Sequence, residues 1–330
     1  MIVLGIESTA HTFGAAIFKE ERVLANVKTA FSTKTGGMVP ARVADHHIEI
    51  CDEIVRQACD DARVSPKDIG LVAYSRSPGL GHTLRVGATL ARSLALLLKK
   101  PLVGVNHCIA HLEIGRLMTP AEDPVMLYAS GANTQVVAYE AGRYRIFGET
   151  LDIGVGNFLD GFGRALGLGF PAGPAIERLA KKGAAQNVAL LELPYSVKGM
   201  DVSFGGMLTK LKTMIRSKKY SKEQLCFSVQ EIVFAMLVEV TERAMAHCDK
   251  KEVVLGGGVA CNKRLQEMCS SMCKERKAKS HAPRNEFLVD NAAMIAWTGL
   301  RVYHQSGAVK PEQAGIDPYE RTDDVEVNHY

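Results

Sequence analysis

The chain has 330 residues, 47% of them apolar, and a formal net charge of only +4. That is more chain than one hydrophobic core usually serves, which predicts two domains, and so slight a charge singles out no polyanionic partner by itself. Mean hydropathy is +0.00, and no run approaches about 20 uninterrupted apolar residues, which argues against a membrane span.

Ile2-Val3-Leu4-Gly5-Ile6 runs directly into Glu7 and reads as a first buried strand, without the basic start of a secretory leader. A polar turn from Glu7 to Thr12 and a strand from Gly14 to Phe18 follow. His46 to Ala62 has helical periodicity, and Leu71 to Ser75 is a short buried strand. Pro78-Gly79-Leu80-Gly81 then leads into an Ala/Leu-rich helix from Leu84 to Leu98. Strand, glycine turn and helix in that order imply a parallel sheet. Leu102 to Val105 is a further strand, and Asn106 suits the cap of a helix. Residues 125–139 (VMLYASGANTQVVAY) repeat the opening at an offset of 122, pairing Leu4 with Met126, Ser8 with Ser130, Thr12 with Thr134 and Ala16 with Ala138. A repeat of domain size predicts a duplicated architecture, with the boundary in the exposed connection 118–124 (MTPAEDP). Beyond it, Glu223 to Cys248 reads as one long helix and Val253 to Leu255 as a strand. Gly256 to Gly258 form a turn into a helix near Asn262, and Asn291 to about Tyr303 is the last helix. Eight cysteines without a CxxC pair fit a reducing compartment, so a cytoplasmic location is expected. Cys269 and Cys273 read as buried thiols.

Three polar turns, at Glu7–Thr12, Ser130–Thr134 and Gly256–Gly258, place small residues and free N–H groups after a strand, as phosphate contacts require. Any one alone is more often structural. Two facing turns plus a third is the arrangement of the actin, hexokinase and heat-shock ATPase superfamily. His107 and His111 share one helix face and can bind one metal, although such pairs are more often coincidental until further donors join them. Distant candidates are Tyr128 and Asp290, which could instead be a core aromatic and a helix cap. A zincin HExxH site is excluded because Cys108 stands where its Glu would be. Between Leu208 and Lys222, six cations (Lys210, Lys212, Arg216, Lys218, Lys219 and Lys222) occur without an acid, which suits a solvated helix face or a strip for a phosphate backbone.

The motifs GIESTAHTFGAAIF, SPGLGHTLRVG, NHCIAHLEIGRL, LYASGANTQ, FPAGPAIE, GGGVACNKRLQEM and DNAAMIAWTG, spread in order over about residues 1 to 325, together resemble the archaeal and eukaryotic catalytic subunit of the KEOPS complex. This is the tRNA threonylcarbamoyladenosine transferase family, once labelled O-sialoglycoprotein endopeptidase. The resemblance implies an α/β fold of two duplicated, actin-like ATPase subdomains, residues 1–120 and 121–330, the second with a helical insertion. It implies a divalent ion, Fe or alternatively Zn, on His107, His111, Tyr128 and Asp290. It also implies an ATP- or AMP-type nucleotide in the cleft, with adenylate contacts from Tyr128, Ala129, Ser130, Gly131 and Ala132, then Asp160, Gly173, Glu177 and Asn262. The implied reaction moves a threonylcarbamoyl group from threonylcarbamoyl-AMP to the exocyclic amine of the adenosine 3′ of a tRNA anticodon. The implied partners are tRNA, a small atypical protein kinase with ATPase activity that some archaea fuse behind this domain, and dimerising and accessory subunits. Two departures stand out. Ala132 replaces a family glycine, where a required positive φ would strain alanine by about 1 kcal/mol, and Ser77 replaces another. A metalloprotease and a nucleotide-gated scaffold are the alternative readings.

Overall fold

The computed structural model describes residues 1–33 and 38–327; the last three positions of the second expected half therefore lie outside the described residues. Two five-stranded sheets organise the chain. The first is built from β1 (Ile2–Glu7), β2 (Thr12–Lys19), β3 (Arg22–Ala30), β4 (Leu71–Ser77) and β5 (Leu102–Asn106), in the order β3-β2-β1-β4-β5. Its connecting helices are α1 (Pro40–Ala62) and α2 (Gly81–Leu98), and α3 (His107–Leu117) follows β5 directly. The second sheet begins with β6 (Val125–Ala129), β7 (Thr134–Glu140) and β8 (Arg143–Glu149). Then come α4 (Val155–Ala165), α5 (Gly173–Ala185), the short ribbon of β9 (Val197–Lys198) and β10 (Asp201–Val202), α6 (Gly205–Ser217) and α7 (Lys222–Cys248). β11 (Glu252–Gly256), α8 (Lys263–Glu275), β12 (Lys279–His281), α9 (Asn285–Leu288) and α10 (Ala292–Ser306) complete it.

The second sheet has the order β12-β11-β6-β7-β8, which matches the first strand for strand. In each, the first three strands are antiparallel and the next two add in parallel. The parallel strands read as continuous apolar runs because helices cover both faces. On the first sheet, Leu4, Ile6 and Phe13 pack with Ile54, Ala58, Ala88 and Ala91 of α1 and α2. Its other face meets α10, although α10 lies at the far end of the sequence: Val3, Phe18 and Ala73 pack against Ala292, Ile295 and Trp297. Small residues make that approach work. A Cβ at Gly5 would stand 2.3 Å from the Ala292 carbonyl oxygen, and one at Gly299 would stand 2.3 Å from the Ala73 Cβ. Burial of side chains the size of Ile295 and Met294 contributes roughly 1.5–3 kcal/mol each to this seam.

In the second half α7 is the core helix. Ser221 caps it by accepting from Gln224 N at 3.1 Å; the helix packs along α5, and its Val229, Val233, Phe234 and Leu237 share one core with Ile176 and Ala180 of α5 and with Phe158 and Phe162 of α4. Among the described residues α7 is the one helix long and apolar enough by composition to cross a membrane, but its apolar positions are taken up by this packing.

The final stretch returns over both halves. Tyr74 Oη donates to Gly315 O at 2.8 Å and Asp317 N to Arg76 O at 3.1 Å on the first sheet. Thr322 Oγ1 then donates to Gln135 Oε1 at 3.0 Å, and Val327 N to Gly142 O at 3.1 Å, on the second.

Candidate metal centre and cleft

α3 begins where β5 ends because Asn106 turns the chain: its Oδ1 accepts from Cys108 N at 2.9 Å and from Ile109 N at 3.1 Å, satisfying two of the orphan donors of a helix start. His107 opens this helix and His111 follows one turn later on the same face, both buried. Asp290 comes from the other end of the sequence, in the loop between α9 and α10. One ligand atom from each of the three lies within 4.8 Å of the others. Asp290 Oδ1 is 3.3 Å from His111 Nε2 and 3.5 Å from His107 Nε2.

The buried Glu7 at the end of β1 fixes the His107 ring. Its Oε2 lies 2.9 Å from His107 Nδ1, while its Oε1 accepts from Thr9 N at 2.7 Å and from Thr9 Oγ1 at 2.5 Å. A carboxylate on Nδ1 leaves Nε2 turned toward Asp290, the arrangement by which metal-binding histidines are oriented. Burial lowers the pKa of His107, but the Glu7 charge and the hydrogen bonds that the ring donates to Asp290 and Glu7 outweigh it and hold the pKa well above the usual value. Burial dominates at His111 and lowers its pKa. At Asp290 burial opposes ionisation, yet the hydrogen bonds of the two imidazoles overcome it and hold the carboxyl well below its usual range. An ionised carboxylate against two histidines is a donor set suited to a divalent ion of the Fe or Zn kind.

Tyr128, at the end of β6, stacks its ring 5.1 Å from that of His111. Its buried hydroxyl has no hydrogen-bond partner among the described residues, and neither does His111 Nδ1. A buried, unpaired hydroxyl costs about 1–3 kcal/mol, and desolvation pushes its pKa well up. A cation here would reverse that penalty. Lys28 of β3 reaches the same place from the first half, donating Nζ to the carbonyl oxygens of Glu286 at 3.1 Å and Asp290 at 3.2 Å. Neither Glu7 nor Lys28 stood out in the sequence as a partner of this cluster. The signal for Glu7 was present in the turn it opens, but the spacing of residues 7 and 107 carries no hint of contact.

The remaining expected positions form a chain of contacts around the second turn. Gly156 N and Asn157 N at the start of α4 donate to Ser130 O at 2.9 Å and Gly131 O at 2.8 Å. A Cβ at Gly257, whose φ is +88°, would meet the Ala129 carbonyl oxygen at 2.3 Å. One helical turn beyond Gly156, Asp160 Oδ1 accepts from Ala172 N at 2.7 Å; burial raises its pKa. Ala172 precedes Gly173, whose absent side chain leaves open space. Glu177, a turn further along α5, accepts from Lys263 N at 3.2 Å beside Asn262, which caps α8 through Arg264 N at 2.9 Å and donates to Gln230 Oε1 at 2.9 Å. Gly131 and Ala132 are exposed. Ala132 is not among the residues with positive φ, so the strain expected there is absent: the turn is held by its neighbours in a conformation alanine accepts.

The six cations of 210–222 are exposed along and beyond α6. Lys222 Nζ donates to Leu166 O at 2.9 Å. Glu7 does not substitute for the missing zincin Glu, because it faces Nδ1 of His107 and not the Nε2 side where the three ligand atoms converge.

Residues 22–297 match the family described as tRNA N6-adenosine threonylcarbamoyltransferase. A Thermococcus kodakarensis protein of that name is 53% identical over 327 residues, 99% of each chain, and one from Nematostella vectensis, named as probable, is 50% identical over 98% of each. A probable bifunctional tRNA threonylcarbamoyladenosine biosynthesis protein of Thermoplasma volcanium is 49% identical over 99% of this chain but only 61% of its own length. Among solved structures, HypF of T. kodakarensis shares the fold at a TM-score of 0.61 with 15% identity, over 94% of this chain and 49% of that one. On these sequence matches the chain belongs to the tRNA N6-adenosine threonylcarbamoyltransferase family.

Proposed function

We propose that the chain transfers the threonylcarbamoyl group of threonylcarbamoyl-AMP to the exocyclic amine of the adenosine 3′ of a tRNA anticodon. The single observation that carries this reading is a cluster of the buried His107 and His111 with the half-buried Asp290, joined through the His111–Tyr128 ring contact to the strand that leads into the open turn at Ser130–Ala132, in a member of this family. The amine is a weak nucleophile, so the protein's task is to hold it against the acyl carbon while AMP departs. The turn from Tyr128 to Ala132, with Asp160, Gly173, Glu177 and Asn262, would hold the adenylate. The carboxylates would accept from ribose hydroxyls, and Gly173 would admit close backbone approach. His107, His111, Asp290 and Tyr128 would hold the metal, Fe or Zn, which when bound supplies Lewis-acid stabilisation of developing negative charge. Glu7 keeps the His107 ring in register for it.

The functional division is into halves 1–120 and 121–330, with tRNA phosphates meeting the exposed cations of 210–222. The partners are the KEOPS subunits, including the kinase-like ATPase, and the setting is the cytoplasm. Reconstitution with threonylcarbamoyl-AMP, tRNA and these partners, read by nucleoside mass spectrometry, should yield the modified adenosine. Absence of product together with peptide cleavage by the metal-loaded protein would restore the protease reading. For the basic strip, replacing Lys212, Arg216 and Lys219 by Gln should lower the magnitude of the log–log salt slope of tRNA binding by about 0.7–0.9 per lost contact. An unchanged slope and affinity would place the tRNA elsewhere.

A further inference from the structure

We infer that Glu320, carried in by the returning C-terminal strap, is a positioning residue of the metal helix, acting through Asn106; the inference rests on the metal reading above. Its Oε2 accepts from Asn106 Nδ2 at 3.1 Å and from the hydroxyl of Ser77, and Arg76 approaches its other oxygen at 3.8 Å. Asn106 is the cap whose Oδ1 starts α3, with His107 as the next residue. A carboxylate on the amide nitrogen fixes which way the Asn106 side chain points, and therefore which atom it offers to Cys108 N and Ile109 N.

Asn106 is buried and borders a cavity of about 160 Å³ that Arg76, Gly104, Ile109, Thr298 and Glu320 help to line, and it is the Glu320 carboxylate that offers its amide nitrogen a hydrogen bond there. Ser77 adds to the arrangement through its hydroxyl, which a glycine at that place would lack. The strap is anchored before Glu320 on the first half, where Gly79 N donates to Pro318 O at 3.3 Å. It is anchored after Glu320 on the second, where Arg321 meets Glu149 at 3.1 Å. The side chain that orients the cap of the metal helix is thus carried by a segment tied to both sheets.

The test uses the full chain loaded with Zn or Fe and follows metal release to an excess of chelator, alongside transfer turnover and thermal unfolding. Glu320→Ala should release metal about tenfold faster, the range in which outer-shell partners of metal ligands act, and lower kcat with little change in KM for the adenylate. Glu320→Gln, which keeps an acceptor for Asn106 Nδ2, should recover most of the retention, and Ser77→Ala should lose less than Glu320→Ala. Adding Asn106→Ala to Glu320→Ala should cost little more than Asn106→Ala alone, because the two act in series. Unaltered release in Glu320→Ala, or effects that simply add in the double variant, would overturn the assignment. If Glu320→Ala does not fold, the same cycle with Glu320→Gln decides it: release equal to that of Glu320→Ser, a shorter side chain, would overturn the role of the acceptor. His107→Ala is the control for the underlying reading: if it too retains metal, the metal site itself is wrong, whereas loss there with retention in Glu320→Ala refutes only the role of the strap.

Discussion

The two sheets carry the same strand–turn–strand opening 122 residues apart, yet the two turns face different chemistry. Glu7, Ser8 and Thr9 are almost fully buried, and the carboxylate is spent on His107. At the matching places stand Ala129, Ser130 and Gly131, of which only Ala129 is buried. A similar crowding shapes both: a Cβ at Gly79 would meet Thr9 O at 2.5 Å, and one at Gly257 would meet Ala129 O at 2.3 Å. One backbone device thus yields an inward turn that orients a metal ligand and an outward turn with its edge open to a ligand. Duplication preserved the sheet and its tight turns, and the side chains at two or three positions decided what each turn does.

The largest expected effect concerns stability of the first copy. His47 of α1 packs its ring 5.4 Å from that of Phe13 in β2, whereas the counterpart Gln135 in β7 is bonded to Thr322. Burial, helped by the neighbouring His46, lowers the His47 pKa to about 4. A histidine depressed in the folded state binds fewer protons than the unfolded chain, so its contribution is full above about 6.5 and is lost as pH falls toward 4, on the order of 3 kcal/mol. Unfolding followed by fluorescence of Trp297, which packs on the same sheet, should weaken over that window and do so less in His47→Leu. An identical pH profile in the variant would remove His47 as the cause.

Next in size is Glu7→Ala, which should reduce metal affinity roughly 10- to 100-fold by freeing the His107 ring, while nucleotide affinity stays near normal. The smallest effect runs the other way. Glu177→Ala and Asn262→Ala should each weaken adenylate binding about tenfold, the value of one or two hydrogen bonds including a charged one, with metal content preserved. Calorimetry showing that Glu7→Ala weakens nucleotide binding as much as metal binding would erase the contrast between the turns.

Much of the fold was legible because its signals are local. Apolar runs ending in small polar turns located β1, β2, β6 and β7, and Asn106 and Asn262 marked helix starts by capping chemistry; the cap of α10 is Asn291, not the Asp290 that the sequence also offered for that place. The position of α10 was not legible: its apolar stripe predicts a buried helix but does not say that Gly5 and Gly299 are shaped to receive it against the first sheet. In the same way, the spacing of His107 and His111 suggested a ligand pair, but Glu7 and Glu320 reach the start of that helix, and Lys28 the backbone of Asp290, only through tertiary contacts that span 100, 214 and 262 positions respectively, which no periodicity encodes.

The central claim is that both ends of the sequence, through α3 and the loop before α10, build one metal centre. Metal stoichiometry measured on purified wild-type, His107→Ala and Asp290→Ala proteins, each checked for intact folding by circular dichroism, tests it directly. The account predicts one ion per chain in the wild type and near-complete loss in both variants; an unchanged stoichiometry in both folded variants would contradict it.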